Sequence, residues 1–167
     1  MDNINPIKSN KDLDDTKTIL VLTDFTNSAL NAADYALFLA VQLKTNILLF
    51  HSYYICVSEH ESLQITNYEL LAQSSKSRLE KENNRLKIAM KASAHDFEPR
   101  IDYLSAGGGV TDNVCNIIEE KKNILMLVMS GFKAKSDDFL FGTEITAVVS
   151  KARCPVVIVP EVEFLRV

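Results

Sequence analysis

Asn123 to Pro160 reads NILMLVMSGFKAKSDDFLFGTEITAVVSKARCPVVIVP, and this stretch decides the fold. An apolar run at 124–129 enters a segment opened by Ser130-Gly131. Gly142-Thr143 close that segment and start a helix over 143–152, with Ile145, Val148, Val149 and Ala152 turned inward. A second apolar run follows at 156–159, bounded by Pro155 and Pro160. A strand feeding a glycine loop at a helix N-terminus is the way α/β proteins hold phosphate, because free backbone N–H groups and the helix dipole both favour an anion there.

The same alternation extends towards the N-terminus. Thr18 to Thr23 (TILVLT) has the continuous apolar character of a strand buried on both faces. Asp24-Phe25 follow, and Thr26-Asn27-Ser28 supply helix N-caps. Ala29, Ala33, Ala36, Ala40 and Leu43 recur at helical spacing, which predicts a helix whose small inner face sits close to a sheet. Thr45 to Ser52 is a second strand, 53–64 a loop, and 65–95 a long polar helix with Leu79, Leu86 and Met90 on one stripe. Arg100 to Leu104 is a third strand. Gly107 to Gly109 form a turn, and Thr111 or Asp112 caps a helix bearing Val114, Ile117, Ile118 and Lys121. Strands alternating with helices imply a parallel sheet with right-handed crossovers.

Composition narrows the function classes. The 167 residues suit one domain with its own core, and 47% hydrophobic against 24% charged content is that of a globular chain. A net charge of -4 argues against sequence-independent nucleic-acid binding and offers no polybasic membrane patch. No segment is apolar and long enough to span a membrane, and the polar start has no signal-peptide core. A cytoplasmic location is expected. Cys56, Cys115 and Cys154 form no C-x-x-C pair, and His51, His60 and His95 do not cluster with them, so reduced thiols and no metal site are expected.

In order along the chain, ILVLTDFTNSALNAADYALFLA, LLFHSY, Gly109 to Lys122, LMLVMSG and FGTEITAVVSKARCPVVIVP resemble the universal stress protein (UspA-like) family of the adenine-nucleotide alpha-hydrolase-like superfamily. The resemblance covers 18–160. It implies an open five-stranded parallel sheet in the order 3-2-1-4-5 with helices on both faces. Residues 1–16 are then a flexible N-terminal tail and 17–167 one universal stress protein-like domain. The first and fourth strands become neighbours where the strand order reverses, which is where open α/β sheets bind ligand.

Nucleotide-binding members of that family carry Gly, two residues, Gly, nine residues, then Gly-Ser or Gly-Thr. Gly142-Thr143 match the end of the pattern. Counted from Gly131, the second glycine falls on Ala134 and the loop is two positions short; aligned on Val128-Met129, Ser130 and Lys133 occupy the glycine positions. A side chain there pushes phosphate away or strains the backbone. Asp137 and Asp138 would repel a triphosphate, while Lys133 and Lys135 offer partial compensation. The candidate ligand-contacting residues are Thr23, Asp24, Ser52, Met129, Ser130, Gly131, Gly142 and Thr143. Asp24 has two readings, a ribose or adenine acceptor and an acid at the N-terminus of the following helix. Gly142-Thr143 likewise read as a phosphate cradle or as a plain helix cap, and Ser130 and Gly131 follow the same logic. His51 is read as packed between sheet and helix rather than catalytic, with no Ser or Cys nucleophile to serve. Gly107 to Gly109 are read as a turn on the far side of the sheet from the switch point, and the charges of 65–95 as a solvated face.

The expectation is therefore a homodimeric stress-response module with a degenerate nucleotide pocket, no enzyme activity, and no required cofactor. The alternatives are an ATP- or AMP-binding member using an altered phosphate loop, and a slow nucleotide hydrolase. In the implied strand order Val156, Val157, Ile158 and Val159 form the sheet edge. The family resemblance implies that they pair with the same strand of a second copy across a two-fold axis. The competing reading is that Glu161 to Val167, with Phe164 and Leu165, cover that edge within one chain.

Overall fold

The computed structural model describes residues 15–54, 61–131 and 143–161, apart from the side chains of 61–66 and 143. The chain alternates β1 (Thr18–Leu22), α1 (Asn27–Leu43), β2 (Asn46–Tyr53), α2 (Glu61–Lys91), β3 (Ile101–Gly107), α3 (Val110–Glu120), β4 (Ile124–Ser130), α4 (Thr143–Lys151) and β5 (Val156–Val159). All pairings are parallel and the sheet order is β3-β2-β1-β4-β5, as expected. Helices α1 and α2 cover one face and α3 and α4 the other. The N-terminal tail reading falls largely on residues 1–14, outside the described residues.

The small residues of α1 set the spacing of the first layer. Ala32, Ala33, Ala36 and Ala40 have no exposed surface and Ala29 has almost none. They pack with Ile19 and Val21 of β1 and Val128 of β4, joined by Leu79, Leu86 and Met90 of α2. Leu43, placed on the same stripe by its spacing, is instead 48% exposed; it is the last residue of the helix, next to the left-handed C-cap at Lys44. On the other face Val114, Ile117, Ile145 and Val148 pack on Leu20, Phe50, Leu127 and Met129. Val149, also expected inward, is exposed. It follows Val148 by one residue, about 100° round a helix that has a single sheet face to cover.

Boundaries differ from the sequence reading where tertiary pairing extends a weak local signal. β3 continues through Ser105, Ala106 and Gly107, which pair with His51, Ser52 and Tyr53, so Gly107 belongs to the strand and not to the turn. Gly108 alone takes a positive φ, 112°, a conformation that glycine adopts without strain. Gly109, rather than Thr111 or Asp112, is the N-cap of α3. The loop at 53–64 is shorter than expected, since Tyr53 is in β2 and α2 begins at Glu61 and ends at Lys91, leaving His95 beyond it. Nor is the polar face of α2 wholly solvated. Glu82 is buried and binds Arg85 bidentately at 2.7 and 2.8 Å, while Arg85 reaches Asp34 of α1 at 2.7 Å and the Leu30 carbonyl. That network pins α2 to α1.

Because the alanine face leaves no room for larger side chains, Ala36→Leu should cost about 1–3 kcal/mol of stability through overpacking. Urea denaturation would measure it. An unchanged midpoint and slope would show that the helix-to-sheet contact is loose.

Candidate functional site

Where the strand order reverses, the carboxyl ends of β1 and β4 splay apart and open a cavity of about 1020 Å³. Of the expected ligand residues, Thr23, Asp24, Ser52, Met129, Ser130 and Gly131 all line it. Gly142 and the side chain of Thr143 lie outside the described residues, as do Lys133, Ala134, Lys135, Asp137, Asp138, Cys56 and His60.

The β1 wall is built by a bend that the sequence does not announce. Phe25 has φ 65°, a left-handed conformation unusual for a large L-residue. Three contacts hold it there. Its N–H donates to Thr23 Oγ1 at 3.0 Å, its ring meets His51 with centroids 4.5 Å apart, and the Arg78 guanidinium of α2 lies 4.2 Å over the same ring. The bend aims Asp24 at the next turn, where its Oδ1 accepts from the Thr26 N–H at 3.0 Å and from the Thr26 hydroxyl at 2.6 Å. Thr26 in turn caps α1 by accepting from the Ala29 N–H. One Asp24 oxygen is thus committed to capping, in keeping with the helix-stabilising reading of this residue.

The buried polar groups at the base are also committed. The Thr23 N–H donates to the Phe50 carbonyl, and its own carbonyl is 2.7 Å from His51 Nδ1. A carbonyl can only accept, so Nδ1 carries the proton and the neutral ring keeps Nε2 as its acceptor. Burial pushes the His51 pKa below its ordinary value and the Arg78 charge adds to that; the Thr23 carbonyl and Asp24 oppose it. His51 is therefore packed as expected, yet it also lines the cavity. The Ser52 hydroxyl donates to the Gly108 carbonyl at 2.8 Å and accepts from the Asn113 amide at 3.0 Å. The glycine turn after β3 is accordingly not remote. The one-residue extension of β2 and the longer β3 bring Gly108 onto Ser52, beside the crevice.

At the β4 wall, Gly131 packs closely against the end of β5. Its N–H donates to the Val159 carbonyl at 2.8 Å, and a Cβ there would come within 3.2 Å of Ile158 Cγ2. This close approach to the end of β5 is a packing reason for a glycine here, alongside the phosphate reading. Cys115 and Cys154 are partly buried free thiols, and burial raises the Cys154 pKa.

Sequence reasoning missed Tyr53, Tyr54, Val110, Glu144 and Glu161, which also line the cavity. The Tyr54 hydroxyl donates to the Glu144 carboxylate, joining the exit of β2 to the first turn of α4 across 90 residues of sequence. That bond is the main cause of a raised Tyr54 pKa. The Tyr53 ring meets Tyr68 edge-on at 5.7 Å, and burial raises its pKa to about 12, so its hydroxyl stays protonated at neutral pH. Among the described lining residues the charged side chains are Asp24, Glu144 and Glu161, with no lysine or arginine.

An open parallel sheet with helices on both faces and a crevice at its switch point defines a ligand-binding α/β module. The universal stress protein family model matches residues 15–160, and the chain belongs to that family. No curated protein matches it. Its fold is similar to that of universal stress protein UspA from Lactobacillus plantarum, with a TM-score of 0.70 and 18% identity over 86% of this chain and 97% of that one. It is also similar to a universal stress protein in complex with cAMP, at TM-score 0.61 and 20% identity over 87% and 97% of the two chains. A universal stress protein from Archaeoglobus fulgidus in complex with dAMP gives TM-score 0.54 and 14% identity over 86% and 96%. Among the described residues no helix is long and apolar enough to cross a membrane.

The depressed His51 pKa fixes a pH dependence. The unfolded chain binds this proton more readily, so the contribution of His51 to stability is complete above the unfolded value of 6.5 and is lost as pH falls through the lower folded value. His51→Gln, which keeps an N–H for the Thr23 carbonyl, should lose stability less steeply than wild type between about pH 7 and pH 5. Urea titrations at several pH values would test this; parallel curves would remove His51 as the sensor.

Proposed function

We propose that this chain is a cytoplasmic stress-response module. Its crevice keeps room for an adenine nucleoside but has a degenerate phosphate end, so that ATP binds weakly or not at all. The observation that carries this reading is the described lining of the crevice. It is spacious and largely apolar through Leu22, Met129, Ile145 and Val148, and its described charges are all negative. The short loop with Ser130 and Lys133, or Gly131 and Ala134, at the glycine positions of the family pattern adds to it. The reading is non-catalytic. His51 Nδ1 is spent on Thr23 and the Ser52 hydroxyl on Gly108, so among the described residues His51 activates no serine or cysteine nucleophile. The rival, an AMP- or ATP-binding member with an altered loop, draws support from the cavity volume and from the cAMP and dAMP complexes of the similar proteins. Titration calorimetry with Mg-ATP should give heats too weak to fit below about 0.1 mM. Tight, stoichiometric binding would favour the rival.

The same proposal includes a homodimer through β5. Among the described residues β5 pairs only with β4. The Leu127 and Gly131 N–H groups donate to the Pro155 and Val159 carbonyls, so odd-numbered residues face β4 and Val156 and Ile158 turn their backbone groups outward. A second copy of this short apolar edge would satisfy them in an isologous, closed contact. Ile158→Pro removes an outward donor while leaving the bonds to β4, a change tolerated on an edge strand. Light scattering should find a dimer for wild type and a folded monomer for the variant. A monomeric wild type at micromolar concentration would refute the dimer.

A further inference from the structure

We infer that Glu144 is a charge-selecting residue that makes this crevice favour an uncharged nucleoside-like ligand over its phosphorylated forms. The inference rests on the adenine-nucleoside reading of the crevice given above and goes beyond it, because it assigns the selection to one residue outside the glycine loop. Glu144 stands in the first turn of the nine-residue helix α4, where the free N–H groups and the dipole would otherwise attract an anion. A carboxylate already there neutralises that attraction and repels a second negative group. Its position is held from across the cavity, since the Tyr54 hydroxyl donates to it and both residues line the crevice. Asp24 and Glu161 add negative charge at the same rim.

No positive charge on the described lining offsets these three. His51, the one lining group that could become cationic near neutral pH, is pushed towards its neutral form by burial and by Arg78. Arg78 itself lies over the Phe25 ring and is not part of the lining. The segment 132–142 carries Lys133 and Lys135 against Asp137 and Asp138, so by sequence it adds no net charge. What remains suits a ligand with a flat or apolar body and neutral hydrogen-bonding groups. The lining provides the Tyr53 and Tyr54 rings, Met129 and Val110 for the body, and exposed acceptors on Asp24 and Glu144 for hydroxyl donors.

The test compares adenosine, AMP and Mg-ATP by calorimetry on wild type and on Glu144→Gln. The amide keeps the size of the side chain and an acceptor for Tyr54 while removing the charge. Because Glu144 is exposed, the fold should survive, and circular dichroism checks that. Wild type should bind adenosine at least as tightly as AMP, and AMP more tightly than ATP. Glu144→Gln should tighten AMP by about five- to tenfold and leave adenosine within about twofold. AMP binding tenfold tighter than adenosine to wild type would overturn the inference, as would a variant that shifts both ligands equally. Those outcomes leave the adenine reading of the crevice standing. If none of the three binds either protein at millimolar concentration, the adenine reading fails and the inference falls with it.

Discussion

The contact between the alanine face of α1 and the strands β1 and β4 is the constraint on which the rest depends. Four side chains of one methyl each, with no solvent exposure, let the helix backbone approach the sheet closely. That approach places the N-terminus of α1 just beyond the end of β1. Thr26 must then cap the helix four residues after the strand ends at Leu22, and Asp24 must brace Thr26. A bulkier face would move the helix outward and lengthen the turn, and the wall of the crevice would lose its geometry. Dispersion and burial in the core thus decide the position of polar groups at the rim.

The charge pattern around the crevice follows from a second separation. Two arginines of α2 have structural roles: Arg85 ties α2 to α1 through Glu82 and Asp34, and Arg78 covers Phe25. Both come from α2, on the face of the sheet away from α4. The face nearest the helix N-terminus of α4 receives carboxylates instead. Net charge alone, slightly negative, would not have located either group.

The alternation of strands and helices was legible because each element carries its own period, whereas the strand order came from the family resemblance. Continuous apolar runs marked β1, β2, β4 and β5, and the alanine and leucine stripes marked α1 and α2, since burial in a two-faced sheet leaves few alternatives. Six of the eight expected ligand residues converge on one crevice for the same reason: they end adjacent parallel strands. What sequence could not show is what those residues do once there. The Thr23 hydroxyl accepts from the Phe25 N–H, and the Ser52 hydroxyl accepts from Asn113 and donates to the Gly108 carbonyl, partners that lie outside the strands. Gly131 lies close against Ile158, 27 residues on, and the Tyr54–Glu144 contact joins two elements with no shared pattern. Leu43 and Val149 were misjudged because helical spacing alone does not show which residues at the end or margin of a stripe a neighbouring layer covers.

The left-handed bend at Phe25 has one more consequence. A glycine would adopt that φ with less strain, so a large aromatic residue there costs about 1–3 kcal/mol that its contacts must offset. The return is rigidity. With its ring against the tilted His51 imidazole and under the Arg78 guanidinium, Phe25 cannot leave the bend without breaking both ring contacts and the bond to Thr23. Contacts within the chain thus shape this side of the crevice in advance, which lowers the ordering cost a guest would have to meet there.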